Sequence, residues 1–534
     1  MSVLNDQQQS KLLNIRDASI WASEYLQKPV TTSNITYLVN YGRIRKTTDN
    51  GGLQIDVNEL KEYYDQIYQS KRHQKNSLEM DINWHLSFDE YQESERTKHV
   101  HRLHPYKGKF IPQLVEYFLD SHIDEFKRSV TFSKGDIVLD PFCGSGTTLV
   151  QANELGIHAI GIDISSFNSL ISNVKIDKHD IPLLTKEIQI ITQKLFEFNK
   201  TRNIYIFEQE LLFQLAKFNN KFFPSPEFRQ KVHKKEIDEF TFAKQKVNEF
   251  VPVYESLLKK YTIKLQNGSS HGFLDKWYLL PVREEIDFIF DAIKSIQNED
   301  VKKVIAIIFS RTIRSCRATT HADLGTLIDP VNSTYYCKKH GKICKPLFGI
   351  TKWWGYYSQD TIKRLKTFDG LRSKTVQQCF TGDSRSIDLE KMIQKRVPQL
   401  SELFFNKKIR GIFTSPPYLG LIDYHEQHAY AYELFGFPRQ DELEIGALSK
   451  GQNRDAKENY VNDIAAVLKH CIRYLQPNFD IFIVANDKNN LYPQIAEISE
   501  LKIVNQFKRP VLNRVEKDRS SYSETIFQMR GQNG

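Results

Sequence analysis

One stretch of the sequence has residue types and spacing that suit the binding of a nucleoside. Residues 136–164 read DIVLDPFCGSGTTLVQANELGIHAIGIDI, which predicts a strand, a glycine turn, a helix and a second strand ending in an acid. Gly144 and Gly146 allow a cofactor to approach the backbone, and the Asp163 carboxylate can accept both hydrogens of a ribose diol. The third glycine of the dinucleotide fingerprint and a GxxxxGK(S/T) phosphate loop are absent. The alternative is a structural βαβ unit that binds no ligand.

A second stretch places a rigid turn between a serine and a tyrosine. Residues 414–430 read TSPPYLGLIDYHEQHAY and follow a short apolar run. Pro416 and Pro417 cannot donate to a sheet ladder, so the preceding strand is predicted to end there. Ser415 contributes a hydroxyl beside this turn, and Tyr418 contributes an aromatic face.

These stretches resemble the amino-methyltransferases of DNA, which use S-adenosylmethionine. DPFCGSGTT resembles the cofactor loop of that family, and SPPY resembles its catalytic tetrapeptide. HPYKGKFIPQLVEYFL (104–119) resembles the segment that closes over the methionine end of the cofactor, and FTGDSR (380–385) resembles the strand end that holds the adenine ring. FIVANDK and SETIFQMRG resemble the last strands of the family. The resemblance implies an α/β, Rossmann-like class I methyltransferase with S-adenosylmethionine as its cofactor.

The resemblance also implies roles for individual residues. Asp163 matches the ribose-binding acid, and Asp383 matches the acceptor for the exocyclic amine of the cofactor's adenine. The implied cofactor-binding residues are Phe110, Ile111, Pro112, Asp140, Phe142, Gly144, Gly146, Asp163 and Asp383. The implied catalytic residues are Ser415, Pro416, Pro417 and Tyr418.

A fixed prolyl turn suits methylation of an exocyclic amine. The lone pair of such an amine is delocalised into the base, so the site has to accept hydrogen bonds from the NH₂ group while its nitrogen becomes tetrahedral. The Pro416 carbonyl and the Ser415 hydroxyl are the predicted acceptors. The Tyr418 ring is the predicted stacking partner of a base flipped out of the duplex. Methylation of a ring carbon is not expected, because that route needs a cysteine nucleophile after a proline and the sequence has no Pro-Cys pair.

Serine at the first position of the tetrapeptide resembles the cytosine-N4 branch more than the adenine-N6 branch. The latter more often carries Asp or Asn there. Cytosine-N4 is therefore the predicted target in double-stranded DNA, with adenine-N6 as the alternative. Asp423, Tyr424, His425 and His428 follow the turn, and they either contact the base and its phosphates or belong to an amphipathic helix.

The predicted role is the modification half of a restriction–modification pair. The sequence holds no PD…ExK-like nuclease cluster, so a cognate restriction endonuclease is expected to act as a separate protein. Two other classes compete with this interpretation: an RNA or protein methyltransferase on the same fold, and a DNA-binding regulator with a relict methyltransferase domain. Intact glycine, acid and prolyl motifs argue against the relict.

Charge and composition favour a nucleic-acid partner. The 534 residues carry a net charge of +9, and residues 301–380 hold 15 Lys and Arg against 4 Asp, a net of +11. Arg311, Arg314 and Arg317, followed by the aromatic KWWGYYSQDTIKRLK (352–366), suit a polyanion. The longest apolar run, VIAIIF (304–309), is too short to span a bilayer, and the first residues show no signal region. The protein is expected to be cytoplasmic, with no membrane partner.

The domain prediction follows the position of these motifs. Residues 1–75 resemble a small winged helix-turn-helix of the excisionase kind, with a turn at Asn50-Gly51-Gly52; a plain helical module is the alternative. Residues 76–175 and 376–534 are the predicted cofactor and catalytic halves of the methyltransferase domain. Residues 176–375 are a predicted, mostly helical insertion that reads the target. This insertion lies before Asp383 in the chain, and that position departs from the simple motif order of the family.

Three residues of this insertion have the spacing of metal ligands. Cys337, His340 and Cys344 lie in YYCKKHGKICKP, and Cys316 and His321 are candidates for a fourth ligand of a structural zinc ion. There is no second CxxC pair, and free cysteines are often simply buried. The pattern therefore leaves the site open, and no metal is assigned from the sequence.

Overall fold

The computed structural model describes residues 12–27, 30–40, 43–44, 47–49, 52–65, 82–88, 91, 93–266, 272–321, 327–511 and 523–532. The strands are β1 (Leu12–Asn14), β2 (Thr47–Asp49), β3 (Gly52–Asp56), β4 (Ile137–Asp140), β5 (His158–Asp163), β6 (Tyr335–Cys337), β7 (Lys342–Cys344), β8 (Gln377–Thr381), β9 (Ile409–Thr414), β10 (Leu475–Ala485), β11 (Leu501–Pro510) and β12 (Ser523–Gly531). The helices are α1 (Ile15–Leu26), α2 (Thr32–Asn40), α3 (57–65), α4 (Glu93–Arg96), α5 (Pro112–Leu119), α6 (Thr147–Glu154), α7 (Ser166–Ile176), α8 (Ile181–Lys200), α9 (Asn203–Phe222), α10 (Glu227–His233), α11 (Glu239–Lys260), α12 (Phe273–Trp277), α13 (Leu280–Lys294), α14 (Glu299–Ser315), α15 (Thr351–Asp369), α16 (Leu389–Arg396), α17 (Pro398–Lys407), α18 (Tyr424–Gln427), α19 (Ala429–Phe435), α20 (Arg454–Ile472) and α21 (Tyr492–Ile498).

A seven-stranded sheet organises the molecule. Its strand order is β11-β12-β10-β9-β4-β5-β8. Strands β8, β5, β4, β9 and β10 are parallel, whereas β12 runs antiparallel between β10 and β11. The predicted α/β, Rossmann-like architecture is therefore confirmed. In such sheets ligands bind outside the carboxyl ends of the strands, where the strand order reverses, which here is at β4.

Apolar runs explain why the central strands are covered on both faces. Every residue of β4 is buried. Alternate side chains of a strand point to opposite faces, so Val138 joins one apolar core while Ile137 and Leu139 join another. Helices that pack on both faces complete these two cores, as expected for parallel strands.

The N-terminal residues form a small module with a core of its own. Strands β1, β3 and β2 make an antiparallel sheet, onto which α1 and α2 pack. Its core residues are Ala18, Ala22, Leu26, Ile35, Leu38, Val39, Ile44, Ile55, Leu60 and Tyr64. Two helices, the hairpin β2–β3 and the helix α3 follow β1 in chain order, and the resemblance to a winged helix-turn-helix remains a prediction. Residues 50 and 51 of the predicted turn, and the predicted boundary at 75, lie outside the described residues.

The chain between α7 and β8 is mostly helical and holds one short hairpin, β6–β7. Strand β8 pairs in parallel with β5, so the strand that precedes Asp383 belongs to the main sheet although the insertion comes first. The helices do not form a separate globule. Phe207 of α9 and Ile305 of α14 belong to the same apolar core as Phe413 of β9. The packing is therefore continuous across the predicted boundaries at 176 and 375, which remain predictions.

The described residues contain neither a membrane-spanning helix nor a disulfide bond. None of the described helices is long and apolar enough to cross a bilayer. All six cysteines are free thiols, as expected for a chain without a disulfide framework.

Candidate active site

A cleft at the carboxyl ends of β4, β5, β8 and β9 gathers most of the predicted site residues. It encloses about 880 Å³ of empty space, its open mouth included. The predicted residues that line it are Phe110, Phe142, Gly144, Asp163, Asp383, Ser415 and Pro417. Those that do not line it are Ile111, Pro112, Asp140, Gly146, Pro416 and Tyr418. The cleft lies where the strand order predicts a ligand site.

The glycine turn, residues 144–146, requires its glycines for two reasons. Gly144 and Gly146 have φ angles of +51° and +75°, in the left-handed region that other residues rarely adopt. A Cβ atom on Gly144 would lie 2.9 Å from the Tyr106 hydroxyl, and one on Gly146 would lie 2.9 Å from the Ser172 hydroxyl. Gly146 then caps the N-terminus of α6. Backbone conformation and crowding together exclude side chains at positions 144 and 146 of this turn.

Asp163 ends β5 and points its carboxylate at the glycine turn. Its Oδ2 accepts a hydrogen bond from the Gly144 N–H at 2.7 Å. Its Oδ1 accepts from the Ser165 N–H at 2.8 Å and from Asn168 Nδ2 at 3.1 Å. Burial raises the pKa of Asp163 to about 6, although these hydrogen bonds oppose the shift. This is a positioned acceptor in a cleft, as the predicted ribose contact requires.

Asp140 connects the cofactor loop to the strand that precedes the prolyl turn. Its buried carboxylate accepts from the Thr414 hydroxyl at 2.6 Å and from the Phe142 N–H at 3.2 Å. Burial raises the pKa of Asp140 to about 6. Because Thr414 is the last residue of β9, this bond holds the ends of β4 and β9 together. Direct contact of Asp140 with a cofactor remains a prediction.

Asp383 lies in the cleft but is already engaged by a cation. Arg385 Nε and Nη2 donate to its two oxygens at 3.0 and 2.7 Å. Burial raises the pKa of Asp383, but the hydrogen bonds and charge of Arg385 outweigh burial and hold the pKa below its ordinary value. Arg385 also pairs with Asp463 at 2.7 Å. The Arg385 N–H also donates to Oδ1 at 2.9 Å, so most of the acceptor capacity of this carboxylate is used within the chain. The adenine contact predicted for Asp383 remains a prediction.

The segment before α5 lies against the glycine turn and against the end of β9. The Phe110 ring lies edge-on to Phe413 of β9, with 5.5 Å between centroids. Ile111 packs against the apolar core, and Pro112 is buried at the first turn of α5. The Lys109 side chain also lines the cleft, and burial lowers its pKa to about 8. The cofactor contacts predicted for Ile111 and Pro112 remain predictions.

The prolyl elbow, residues 415–418, begins directly after β9. Ser415 and Pro417 line the cleft, whereas Pro416 is buried. The Tyr460 hydroxyl donates to the Pro417 carbonyl at 3.0 Å, which fixes the elbow from outside. The Tyr418 hydroxyl donates to Glu524 of β12 at 2.8 Å, and its ring is not among the cleft-lining groups. The stacking role predicted for Tyr418 remains a prediction.

Several cleft residues were not predicted as cofactor contacts. The rings of Tyr106 and Tyr424 stack with centroids 5.7 Å apart, and both line the cleft. His425 Nδ1 pairs with Glu444, which also accepts the His425 N–H at 2.7 Å. His425 Nε2 is buried and has no hydrogen-bond partner in the described part of the chain. The sequence motif DYHEQHAY already pointed to Tyr424 and His425, but no sequence pattern pointed to Glu444.

The chain is similar to proteins that modify DNA. The N6/N4 methyltransferase family model, described as DNA methylase, matches residues 18–173, which include the glycine turn and Asp163. The type II methyltransferase M.MjaII of Methanocaldococcus jannaschii is 46% identical over 535 aligned positions, 99% of this chain and 98% of that protein. The type II methyltransferase M.BsoBI of Geobacillus stearothermophilus is 43% identical over 72 residues, 14% of this chain and 13% of that protein.

A solved structure aligns only loosely. The rRNA methyltransferase aviRa of Streptomyces viridochromogenes covers 82% of this chain and 93% of its own, with 9% identity and a TM-score of 0.27. A similarity of that degree supports no conclusion about this chain. The full-length identity to a type II methyltransferase and the family match are sufficient without it. The chain therefore belongs to the N6/N4 DNA methylase family, as an S-adenosylmethionine-dependent type II DNA methyltransferase of the restriction–modification kind.

Proposed function

We propose that this methyltransferase modifies the exocyclic N4 amine of a flipped cytosine in double-stranded DNA. The observation that carries the proposal is Ser415, which begins the prolyl elbow and lines the same cleft as Gly144 and Asp163. A serine at this position resembles the cytosine-N4 branch of the family, whereas the adenine-N6 branch more often has Asp or Asn. Both bases present an amine beside a ring nitrogen, so the residue types around the amine carry the distinction.

The cleft fits S-adenosylmethionine. Positions 144 and 146 of its glycine turn have no side chain. The Asp163 carboxylate beside the turn accepts three protein hydrogen bonds and keeps about one acceptor site for a ribose hydroxyl. Phe110 and Phe142 provide apolar lining, and Asp383 is an acceptor at the end of β8. When bound, this cofactor supplies a methyl group on a positively charged sulfur, and transfer of that methyl group to an amine releases one proton.

The elbow acts on the base by position and by hydrogen bonding. The Ser415 hydroxyl can accept a hydrogen from the amine or donate to the ring nitrogen beside it. The Pro416 carbonyl, in a backbone held by two prolines, is the proposed second acceptor, which supports the nitrogen as it becomes tetrahedral. No covalent intermediate is required, so the rate enhancement comes from orientation and electrostatic stabilisation.

Modification of this kind protects DNA at a recognition sequence from a cognate restriction endonuclease. We propose that such an endonuclease is a separate protein and that the modification takes place in the cytoplasm. The N-terminal module and the mostly helical region between α7 and β8 are the proposed target-reading parts. Their support is the separate core of the module and the exposed lysines of the helical region.

Nucleoside analysis tests the target base. Double-stranded DNA is incubated with the protein and methyl-labelled S-adenosylmethionine, then digested to nucleosides and separated by chromatography. We expect label in N4-methylcytosine. Label in N6-methyladenine would overturn the cytosine assignment while the elbow mechanism stands. Label in RNA or protein but not in DNA would overturn both. A Ser415→Ala variant, expected to bind cofactor normally but methylate slowly, shows that the label arises at this elbow.

A further inference from the structure

Two cysteines and two histidines meet at the β6–β7 hairpin. One potential ligand atom from each of His321, Cys337, His340 and Cys344 lies within 4.8 Å of all the others. The Nδ1 atom of His340 is 3.4 Å from the Cys344 sulfur, and the two imidazole centroids are 4.4 Å apart. None of the four residues lines the cofactor cleft. The cluster is therefore separate from the methyl-transfer site.

The hairpin presents three of these side chains by its own backbone geometry. Cys337 ends β6, Cys344 ends β7, and His340 lies in the turn between the strands. The N–H groups of His340 and Gly341 both donate to the Cys337 carbonyl, at 3.0 and 2.7 Å. Gly341 has a φ of +63°, which allows the tight reversal. Short cysteine-bearing turns of this kind suit a metal ion that is coordinated by side chains from both strands.

The fourth side chain comes from a different part of the chain. His321 follows α14, and its Nδ1 lies 2.8 Å from the Tyr335 hydroxyl. A histidine whose Nδ1 is held in this way presents Nε2 to a metal, with the hydroxyl orienting the ring. Cys316, the other candidate from the sequence, is buried in the apolar core and is not part of the cluster. The tertiary structure thus selects one of the two candidates.

We propose that His321, Cys337, His340 and Cys344 bind one zinc ion in a structural Cys₂His₂ site. Zinc is held tetrahedrally by thiolates at about 2.3 Å and imidazoles at about 2.0 Å, so the observed separations need only a small contraction. Four protein ligands leave no open position for water or substrate, which is the mark of a structural site and not of a catalytic one. The ion would tie the hairpin to the segment that leaves α14.

The site has a mechanical role in the helical region. Asn219 of α9 makes two hydrogen bonds to Ile343 in β7, at 2.9 and 3.0 Å, so the hairpin is seated on α9. Arg317 lies four residues before His321, and its guanidinium is 5.9 Å from the Tyr430 ring of α19. A zinc ion at His321 would therefore fix the position of the hairpin relative to a segment that contacts the catalytic half.

Metal analysis of the full-length protein tests the proposal directly. Protein expressed with zinc supplied, and freed of any histidine tag, is measured by elemental mass spectrometry. We expect one zinc per chain, and replacement by Co²⁺ should give the thiolate charge-transfer and intense d–d bands of a tetrahedral site. Protein expressed with zinc supplied that contains well below one zinc per chain would overturn the proposal. So would a Cys337–Cys344 disulfide found by non-reducing mass spectrometry in protein purified under reducing conditions.

Variants separate the four ligands from neighbouring residues of the same type. C344S and H321A should lose the zinc during dialysis against a chelator that the unchanged protein withstands. The matched control C316A removes a nearby cysteine outside the cluster and should keep one zinc. Calorimetric binding of S-adenosylmethionine should be unchanged in all three, which shows that they are folded. Zinc loss in C316A with retention in H321A would overturn the proposed ligand set.

Discussion

At the scale of single residues, burial and hydrogen bonding act in opposite directions on Asp163. Three protein donors favour its ionised form, but burial prevails and raises its pKa to about 6. The ionised carboxylate accepts hydrogen bonds with both oxygens, whereas the protonated acid keeps a hydrogen on one of them. The protonation state of Asp163 should therefore govern how well the cleft holds a ribose.

Cofactor affinity should fall in acid for this reason. Above about pH 6 the carboxylate is ionised and affinity is full; as the pH decreases below about 6, protonation should weaken binding of S-adenosylmethionine. Isothermal titration between about pH 5 and about pH 8 measures the effect. D163N should bind more weakly at neutral pH, by about 10- to 100-fold, as expected for loss of a charged acceptor, and its affinity should fall less in acid than that of the unchanged protein. Equal pH profiles for both proteins would contradict the assignment.

Tyr418 has a ring and a hydroxyl with separable roles. Its hydroxyl is bonded to Glu524, whereas its ring is the proposed platform for the flipped base. Y418F should keep most of the methylation rate, because the ring remains. Y418A should reduce kcat/KM for DNA by roughly 5- to 100-fold, since stacking is worth about 1–3 kcal/mol per base. Cofactor affinity should be near normal in both variants, in contrast with D163A. An equal loss of rate in Y418F and Y418A would instead assign the role to the Glu524 bond.

At the scale of elements, the glycine turn and the helix it caps have to be considered together. Gly146 has a φ of +75° and stands against Ser172 of α7, so a methyl group there is strained by both backbone and space. The turn is also what brings Gly144 to the Asp163 carboxylate. A change at Gly146 should therefore affect stability and cofactor binding at once.

G146A should lower the free energy of unfolding by about 1–2 kcal/mol from the left-handed conformation alone, and should weaken cofactor binding. The matched control is G355A. Gly355 lies inside α15, its added Cβ would meet no atom within 4 Å, and alanine there should stabilise the protein by up to about 1 kcal/mol. Urea unfolding and calorimetry measure the two effects. A stable G146A protein with unchanged cofactor affinity would show that the turn does not approach the cofactor.

At the scale of the whole molecule, the excess positive charge is divided between internal and external roles. The arginines of residues 301–380, the basic segment, make contacts within the protein. Arg311 is buried and paired with Asp360 at 2.7 Å, and Arg372 donates to main-chain carbonyls of α7 and its C-cap. Lys338, Lys339 and Lys342, at the tip of the β6–β7 hairpin, are exposed. The exposed positive charge of residues 301–380 is thus carried by lysines more than by arginines.

Neutralising the hairpin tip should weaken DNA binding without changing the cofactor site. The triple variant K338A/K339A/K342A should reduce DNA affinity and lower the slope of log affinity against log salt by about 2–3, since each phosphate contact contributes about 0.9. The control K391A/K395A/R396A removes the same charge from exposed positions on α16. Fluorescence anisotropy at several salt concentrations compares them. Equal salt slopes for both variants would remove the hairpin from the DNA interface.

Much of the architecture was predictable because it depends on short-range patterns. Apolar runs define β4 and β9, Gly144 and Gly146 require a left-handed turn, and the prolines at 416 and 417 stop β9 where the cleft begins. Parallel strands bring their carboxyl ends together, which is why Asp163 at the end of β5 and Ser415 after β9 line the same cleft.

Other features were decided only by the tertiary structure, because they join residues that no local pattern relates. Arg385 reaches Asp463, the Tyr418 hydroxyl bonds to Glu524, and Glu444 holds His425. The helical region was predicted as an insertion, yet its apolar faces complete the core that covers one side of the sheet.

The basic segment and the candidate metal ligands show the same difference between what the sequence determines and what the folded structure decides. The sequence alone determined how many charges and thiols lie there, since composition is independent of the fold. Only packing decided that Arg311 faces Asp360 and that His321, and not Cys316, meets the hairpin thiols. The physical reason is that burial, pairing and coordination depend on distances between side chains, and those distances are set by the folded chain as a whole.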